Sequence, residues 1–145
     1  MEIKCDHKEM RMDIVVAFPG GKKVEAQYKG FTVKTDQPVQ AGGEGSAPSP
    51  FDLFLCSIGT CAGIYVLNFC QERNIPTDGS NLGLSLQRDP ETKMIKKVSI
   101  EINLPPGFPE KYSQAVKNAA ELCPVKKHII NAPAFDIKVN IGSKA

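Results

Sequence analysis

Tryptophan is absent from this 145-residue chain, and histidine occurs only twice, at His7 and His128. A metal centre built from several histidines is therefore excluded within one chain. No Cys-x-x-Cys pair exists among Cys5, Cys56, Cys61, Cys70 and Cys123, so a zinc ribbon and a thioredoxin-type pair both lack their local signature. Neither sign of charge dominates: 18 basic against 16 acidic side chains leave a net charge of +2. That balance gives no electrostatic footprint for nucleic acid or an anionic membrane. No apolar run is read as approaching the ~20 residues that span a bilayer. The start, Met1-Glu2-Ile3-Lys4-Cys5-Asp6, carries charge where a signal peptide needs an apolar stretch. A cytoplasmic protein is expected, with its cysteines resting as thiols.

What is present suits a globular α+β protein, read as one domain over residues 1–145. Apolar residues make up 41% and charged residues 23%, enough apolar material to build a core without staples. Strand patterns run from Met10 to Phe18, Val24 to Tyr28 and Phe31 to Lys34, with Gly20-Gly21 and Lys29-Gly30 as turns. The glycine-rich stretch from Gln37 to Pro48 has neither phosphate-loop spacing nor a following Lys-Ser/Thr, and reads as a flexible connector. Alternation returns at Leu82–Gln87 and Val98–Leu104, a helix is expected from about Pro109 to Leu122, and Pro124 opens a short helix through Ile130. Ala134 to Ile141 reads as a closing strand.

The clearest element is a helix from Pro50 to Arg73. Ser49 suits the N-cap, Pro50 the first helical position, and Asp52, three residues past Ser49, the capping-box partner. The run lacks a wide polar face, which predicts burial on most sides and a second copy of the chain covering it. At ~100° per residue, Cys61 lies ~140° around this helix from Cys56 and ~180° from Cys70. Cys61 thus looks onto a different surface, among the small residues Gly59, Thr60, Ala62 and Gly63. Cys123 precedes Pro124 at a helix start, where unpaired N–H groups, Lys126 and Lys127 favour a thiolate. Cys5, Cys56 and Cys70 read as core filling.

Ala47-Pro48-Ser49-Pro50-Phe51-Asp52-Leu53-Phe54-Leu55 followed by Gly59-Thr60-Cys61 resembles the central-helix motif of the OsmC/Ohr family. Glu121-Leu122-Cys123-Pro124-Val125 resembles its second motif. The resemblance implies an OsmC-like fold, in which a long buried central helix packs on antiparallel β-sheets within an intertwined homodimer. It also implies a thiol peroxidase that uses neither metal nor bound cofactor. Cys61 would attack an organic hydroperoxide, Cys123 would resolve the sulfenic acid as a disulfide, and an external dithiol would restore both thiols.

The chain departs from the family pattern at two charged positions. Phe51 stands where members with peroxidase chemistry carry a glutamate, and the acid is one residue later, at Asp52. Asp52 is ~180° around the helix from Cys61, so capping is its expected role. The family's arginine near the first strands is also missing: Arg11, Arg73 and Arg88 are the only arginines, and the hairpin carries Lys22 and Lys23. Without a cation beside it, Cys61 in an apolar helix should have a raised pKa. Two alternatives therefore stand on the same fold. One is a non-catalytic dimer that binds a small apolar molecule, with Phe51, Phe54, Ile58 and Tyr65 as lining. The other is a thiol redox sensor or disulfide carrier.

Overall fold

The computed structural model describes residues 13–142, so Cys5, His7 and Arg11 lie outside the described residues. Two compact units divide between Phe54 and Leu55. The first holds an antiparallel sheet of β1 (Val15–Gly20), β2 (Lys23–Tyr28) and β3 (Phe31–Thr35), in the order β1-β2-β3. Tyr28 pairs with Phe31, which leaves Lys29 and Gly30 as a two-residue hairpin turn. Both residues take positive φ, +47° and +81°, the geometry that matches the twist of the flanking strands. Val15, Val16 and Phe18 of β1 and Phe31 and Val33 of β3 remain exposed.

The stretch after β3 is not a featureless connector. Asp36 is almost completely buried, and its carboxylate accepts bonds from the backbone N–H groups of Gln37 (2.7 Å), Glu44 (3.2 Å) and Ser46 (3.0 Å). The Ser46 hydroxyl donates a fourth bond at 2.7 Å. These donors hold the carboxyl ionised, with a pKa lowered to about 2. The chain folds around that charge through a 3-10 turn at Val39–Ala41. Gly43 passes so close to the Gln37 carbonyl that any Cβ there would collide with it. Glycine is thus required by close approach, where its abundance alone suggested looseness.

α1 (Pro50–Glu72) begins in this first unit with the expected capping box. The Asp52 N–H donates to Ser49 Oγ at 3.2 Å, while the Ser49 N–H and Oγ–H donate to Asp52 Oδ2 at 3.1 and 2.7 Å. Its far end is equally well defined. Ile75 N–H bonds the Cys70 carbonyl at 2.9 Å and Asn74 N–H the Gln71 carbonyl at 3.1 Å. Asn74 sits at φ +54°, so this is a Schellman stop with Pro76 beyond it.

In the second unit α1 lies with a hairpin of β4 (Asn81–Arg88) and β5 (Ile95–Asn103), paired antiparallel from Asn81↔Asn103 onward. A methyl group on Gly59 would stand 2.9 Å from Leu84 Cδ1, so the helix approaches β4 closely at its small residues. The core gathers Val66, Phe69 and Cys70 of α1 with Val116 of α2 (Ser113–Ala120). Tyr112 meets Phe69 edge-on at 5.8 Å between ring centroids. Arg73 lies 3.8 Å over the Phe69 ring and donates to the Phe69 carbonyl, covering the core with a stacked cation.

Three expectations need correcting. The second helix does not run evenly from Pro109: a 3-10 turn at Glu110–Tyr112 precedes α2, a tightening common at helix starts. Ala134 to Ile141 forms no strand, although its apolar residues alternate. Neither sheet includes the segment, and Phe135, Ile137, Val139 and Ile141 are each at least 85% exposed. A strand needs a neighbour for its N–H and C=O groups, and neither described sheet takes this segment in. Finally, α1 is long and apolar enough to cross a membrane by length and composition, a property shared by core helices of soluble proteins. The stripe of Ile58, Ala62, Val66, Phe69 and Cys70 is buried, whereas Phe51, Phe54 and Ile64 are exposed.

Candidate functional site

The second unit brings Cys61 and Cys123 together. Cys61 sits one residue before Ala62, whose methyl group is completely buried, so its own side chain turns to the flank of the core stripe and stays partly exposed. Cys123 caps α3 (Pro124–Ile130), with Pro124 at the first helical position. The two thiols are close neighbours, and both are free. Each sulfur also meets a backbone amide at the start of α3. The Lys126 N–H donates to Cys123 Sγ at 3.5 Å, and the Val125 amide lies beside Cys61. Small residues before Cys61 and a proline-started helix after Cys123 are the sequence features that produce this arrangement.

Electrostatics at the pair are those of a resting thiol. Burial pushes the Cys61 pKa up, and the neighbouring Cys123 adds to the shift; the Val125 amide pulls the other way and is outweighed. Lys126 does not stand there as a bare positive charge, because its ammonium is ion-paired with Glu121. The pair spans the bend that contains Cys123, so the Lys126 backbone holds the sulfur while its side chain ties back to the preceding turn. Glu121 is a residue that the sequence motifs left without a role. An acid five positions before a lysine across a Cys-Pro bend was the available sign.

Beside Cys123 opens a cleft of about 310 Å³. Ile58 and Ala62 of α1, Val98 and Ile100 of β5, and Ile129 and Ile130 of α3 make its apolar wall. Glu121, Cys123 and Lys126 supply the polar part, whereas Cys61 is not among the lining residues. Cys56 lies elsewhere, on an open leucine-lined groove of about 420 Å³ with Leu82, Leu84 and Leu86. It is exposed and so does not fill the core, while Cys70 is buried as expected. The two share a helical face, but only the Cys70 end is covered by Val116 and Tyr112.

The other candidate residues are committed to partners. Asp52 is held in the capping box, and the Ser49 bonds lower its pKa. Lys23 is ion-paired with Glu44 at 2.6 Å, which raises its pKa. The Lys22 side chain runs past Gly42. Phe51 and Phe54 stack on one another 5.5 Å apart, Ile58 lines the cleft, and Tyr65 is half-buried. Among the described residues there is no cluster of three or more His, Cys, Asp or Glu able to hold a metal ion.

Comparison with known proteins places the fold. Similar folds occur in a protein from Psychrobacter arcticus 273-4 described in terms of osmotic stress induction and detoxification response (TM-score 0.68, 23% identity, covering 83% of this chain and 90% of that one). An OsmC like protein from Mycoplasma pneumoniae gives TM-score 0.63 at 13% identity, covering 86% and 90%. The organic hydroperoxide resistance protein OhrB of Bacillus subtilis gives TM-score 0.50 at 22% identity, covering 81% and 90%. No match was found among curated proteins. The sequence profile of the OsmC-like protein family matches residues 43–138, a span that includes α1, both cysteines and the cleft. The chain belongs to the OsmC-like family.

Proposed function

We propose that this protein is a thiol-dependent peroxidase for organic hydroperoxides, cytoplasmic and acting as a homodimer of single-domain chains. The observation that carries the reading is the closeness of the Cys61 and Cys123 thiols. Cys61, the more exposed of the two, attacks the terminal peroxide oxygen as a thiolate. The O–O bond breaks, an alcohol leaves with one proton, and Cys61 becomes a sulfenic acid. Cys123, already adjacent, displaces water from it and forms the disulfide. An external dithiol then returns both electrons and both protons. No metal or bound cofactor enters these steps.

The dimer is supported by the apolar surface that a single chain leaves open: Phe51, Phe54 and Ile64 on α1, and Phe135, Ile137, Val139 and Ile141 near the C-terminus. The absence of the family's arginine and glutamate favours a second reading, a disulfide carrier or redox sensor that exchanges thiols without turning over peroxide. The two separate in one assay. Purified protein is given cumene hydroperoxide or hydrogen peroxide, with dihydrolipoamide as reductant, and consumption is followed. Preference for the organic peroxide, loss of turnover in Cys61→Ser, and a trappable sulfenic acid at Cys61 in Cys123→Ser are expected. Oxidation mapped first to Cys56 or Cys70 would remove the peroxidase reading.

A further inference from the structure

A further cleft, of about 430 Å³, opens at the end of α1 opposite the capping box, between two proline-containing turns. One wall is the Schellman stop and the turn after it, where the Ser80 N–H bonds the Thr77 carbonyl at 2.9 Å. Asn74 and Asp78 stand on this wall. The other wall is the turn that follows β5, closed by the Phe108 N–H on the Pro105 carbonyl at 3.1 Å, with Gly107 at φ +88°. We propose that this cleft is a binding site for a small organic ammonium ion that carries an aromatic body.

Charge selects the head group. Asp78 is the one charged residue on the wall, and it is exposed. Among the described residues its carboxylate has neither an ion pair nor a hydrogen bond, and the Asn74 side-chain amide is equally unengaged. Arg73, the nearest cation in sequence, is committed elsewhere. It stacks 3.8 Å over Phe69, donates to the Phe69 carbonyl and pairs with Glu72 at 3.5 Å. Pro76, Pro105, Pro106 and Pro109 carry no N–H, so most of the wall offers an anion nothing to hold it. An ammonium finds a carboxylate and an amide oxygen as acceptors.

Shape selects the body. The prolines fix φ and each turn is closed by its own backbone bond, so the walls lose little freedom when a ligand enters. Ile75, Pro105, Phe108 and Pro109 are half-buried and present apolar surface, with the Phe108 ring able to pack on a second ring. The volume lies within the ~300–1,000 Å³ of small-molecule sites. Because α1 rises ~1.5 Å per residue, the cleft is about 20 Å from Cys61. Binding here is therefore separate from the thiol pair, and its test stands whether or not the protein turns over peroxide.

The full chain, titrated with 2-phenylethylammonium chloride and followed by amide NMR, should show saturable shifts at Asn74, Ile75, Asp78, Gly79 and Phe108. 2-Phenylethanol has the same ring without the charge and should bind about fivefold more weakly, the worth of one partly exposed ion pair. Butylammonium keeps the charge without the ring and should also bind more weakly, while 3-phenylpropionate should leave these amides unmoved. Asp78→Asn should bring the amine and the alcohol together. Glu110→Gln, which removes an acid next to the cleft but not on its wall, should preserve the preference. Equal affinity for amine and alcohol in the unmodified protein overturns the proposal, as does butylammonium matching the aromatic amine. Absence of saturable shifts at these residues, or a preference lost equally in Glu110→Gln, overturns it too.

Discussion

Two stretches of this chain behave oppositely to their composition. Residues 36–48 are polar and glycine-rich, yet they close around a buried carboxylate with four donors. Residues 134–141 alternate apolar and polar like a good strand, yet they pair with nothing in either described sheet. The difference lies in where the backbone groups find partners. In the loop, the Asp36 side chain supplies acceptors locally, so order needs no second element. In the terminal segment, order needs a free sheet edge, which a single chain does not bring to it. Hydropathy patterning reports which face a segment could bury, and says nothing of whether a partner exists.

The largest effect follows from the terminal segment. If residues 134–141 are a strand whose partner is a second copy of the chain, truncation after Asn131 removes apolar side chains that bridge the dimer. Sedimentation equilibrium should show about twice the chain mass for the full protein and a substantial shift toward the monomer for the truncation. Amide exchange should find residues 134–141 protected in the full protein. Rapid exchange there, with an intact dimer after truncation, would leave the segment as a tail and seat the interface on α1 alone.

Much of the fold was legible because its signals are local. The Ser49–Asp52 cap, the Lys29-Gly30 turn and the Cys123-Pro124 helix start are each fixed within a few residues, and each appears as read. The thiol pair was legible through two motifs whose order matched a known family. What could not be read depends on contacts distant in sequence. Nothing in the composition of Gln37–Pro48 marks Asp36 as its organiser except an acid preceding a run of small residues rich in free N–H groups. Cys56 was misassigned for a related reason: helical angle gives the face, while burial depends on whether anything covers it.

A medium effect tests the loop. Asp36→Ala removes all four acceptor contacts and leaves three backbone N–H groups without their acceptor. A fall in Tm of roughly 4–8 °C is expected, with new proteolytic cleavage confined to residues 37–48. Gly43→Val should imitate it, because the added side chain would collide with the Gln37 carbonyl and crowd Asp36 Oδ1. If Gly43→Val is silent, the close approach is not what orders the stretch.

Acid should resolve the same contrast more finely. The Asp36 pKa is about 2 in the folded chain against an ordinary 3.8. A depressed carboxyl pKa contributes stability that is complete above the unfolded value and lost as pH falls through the folded one. Between pH 5 and 7 Asp36 therefore adds no pH dependence, and from about pH 4 down to 2 its contribution disappears. Thermal melts of wild type and Asp36→Asn should converge over that window. Parallel curves would mean that the carboxylate charge is not what the loop folds around.

The smallest expected effect joins the loop to the thiols. Lys23 is one of the two hairpin lysines that the missing arginine implicates, and the loop engages it through Glu44. An ammonium already paired with a carboxylate projects little net field, so Lys23→Met should leave the Cys61 titration unchanged. A variant retaining Cys61 as its single cysteine, titrated by alkylation rate, should show an apparent pKa above the free-thiol value of ~8.5, because burial outweighs the Val125 amide. Glu44→Gln is the more sensitive probe, since it releases the ammonium while keeping the loop's shape. If the released charge acts within ~4–6 Å of Cys61 in the dimer, the pKa should fall by ~1–3 units. No change in either variant means that the loop's cation and the reactive thiol are electrostatically independent. Cys61 must then be activated by its substrate's surroundings, or serve in exchange with Cys123 alone.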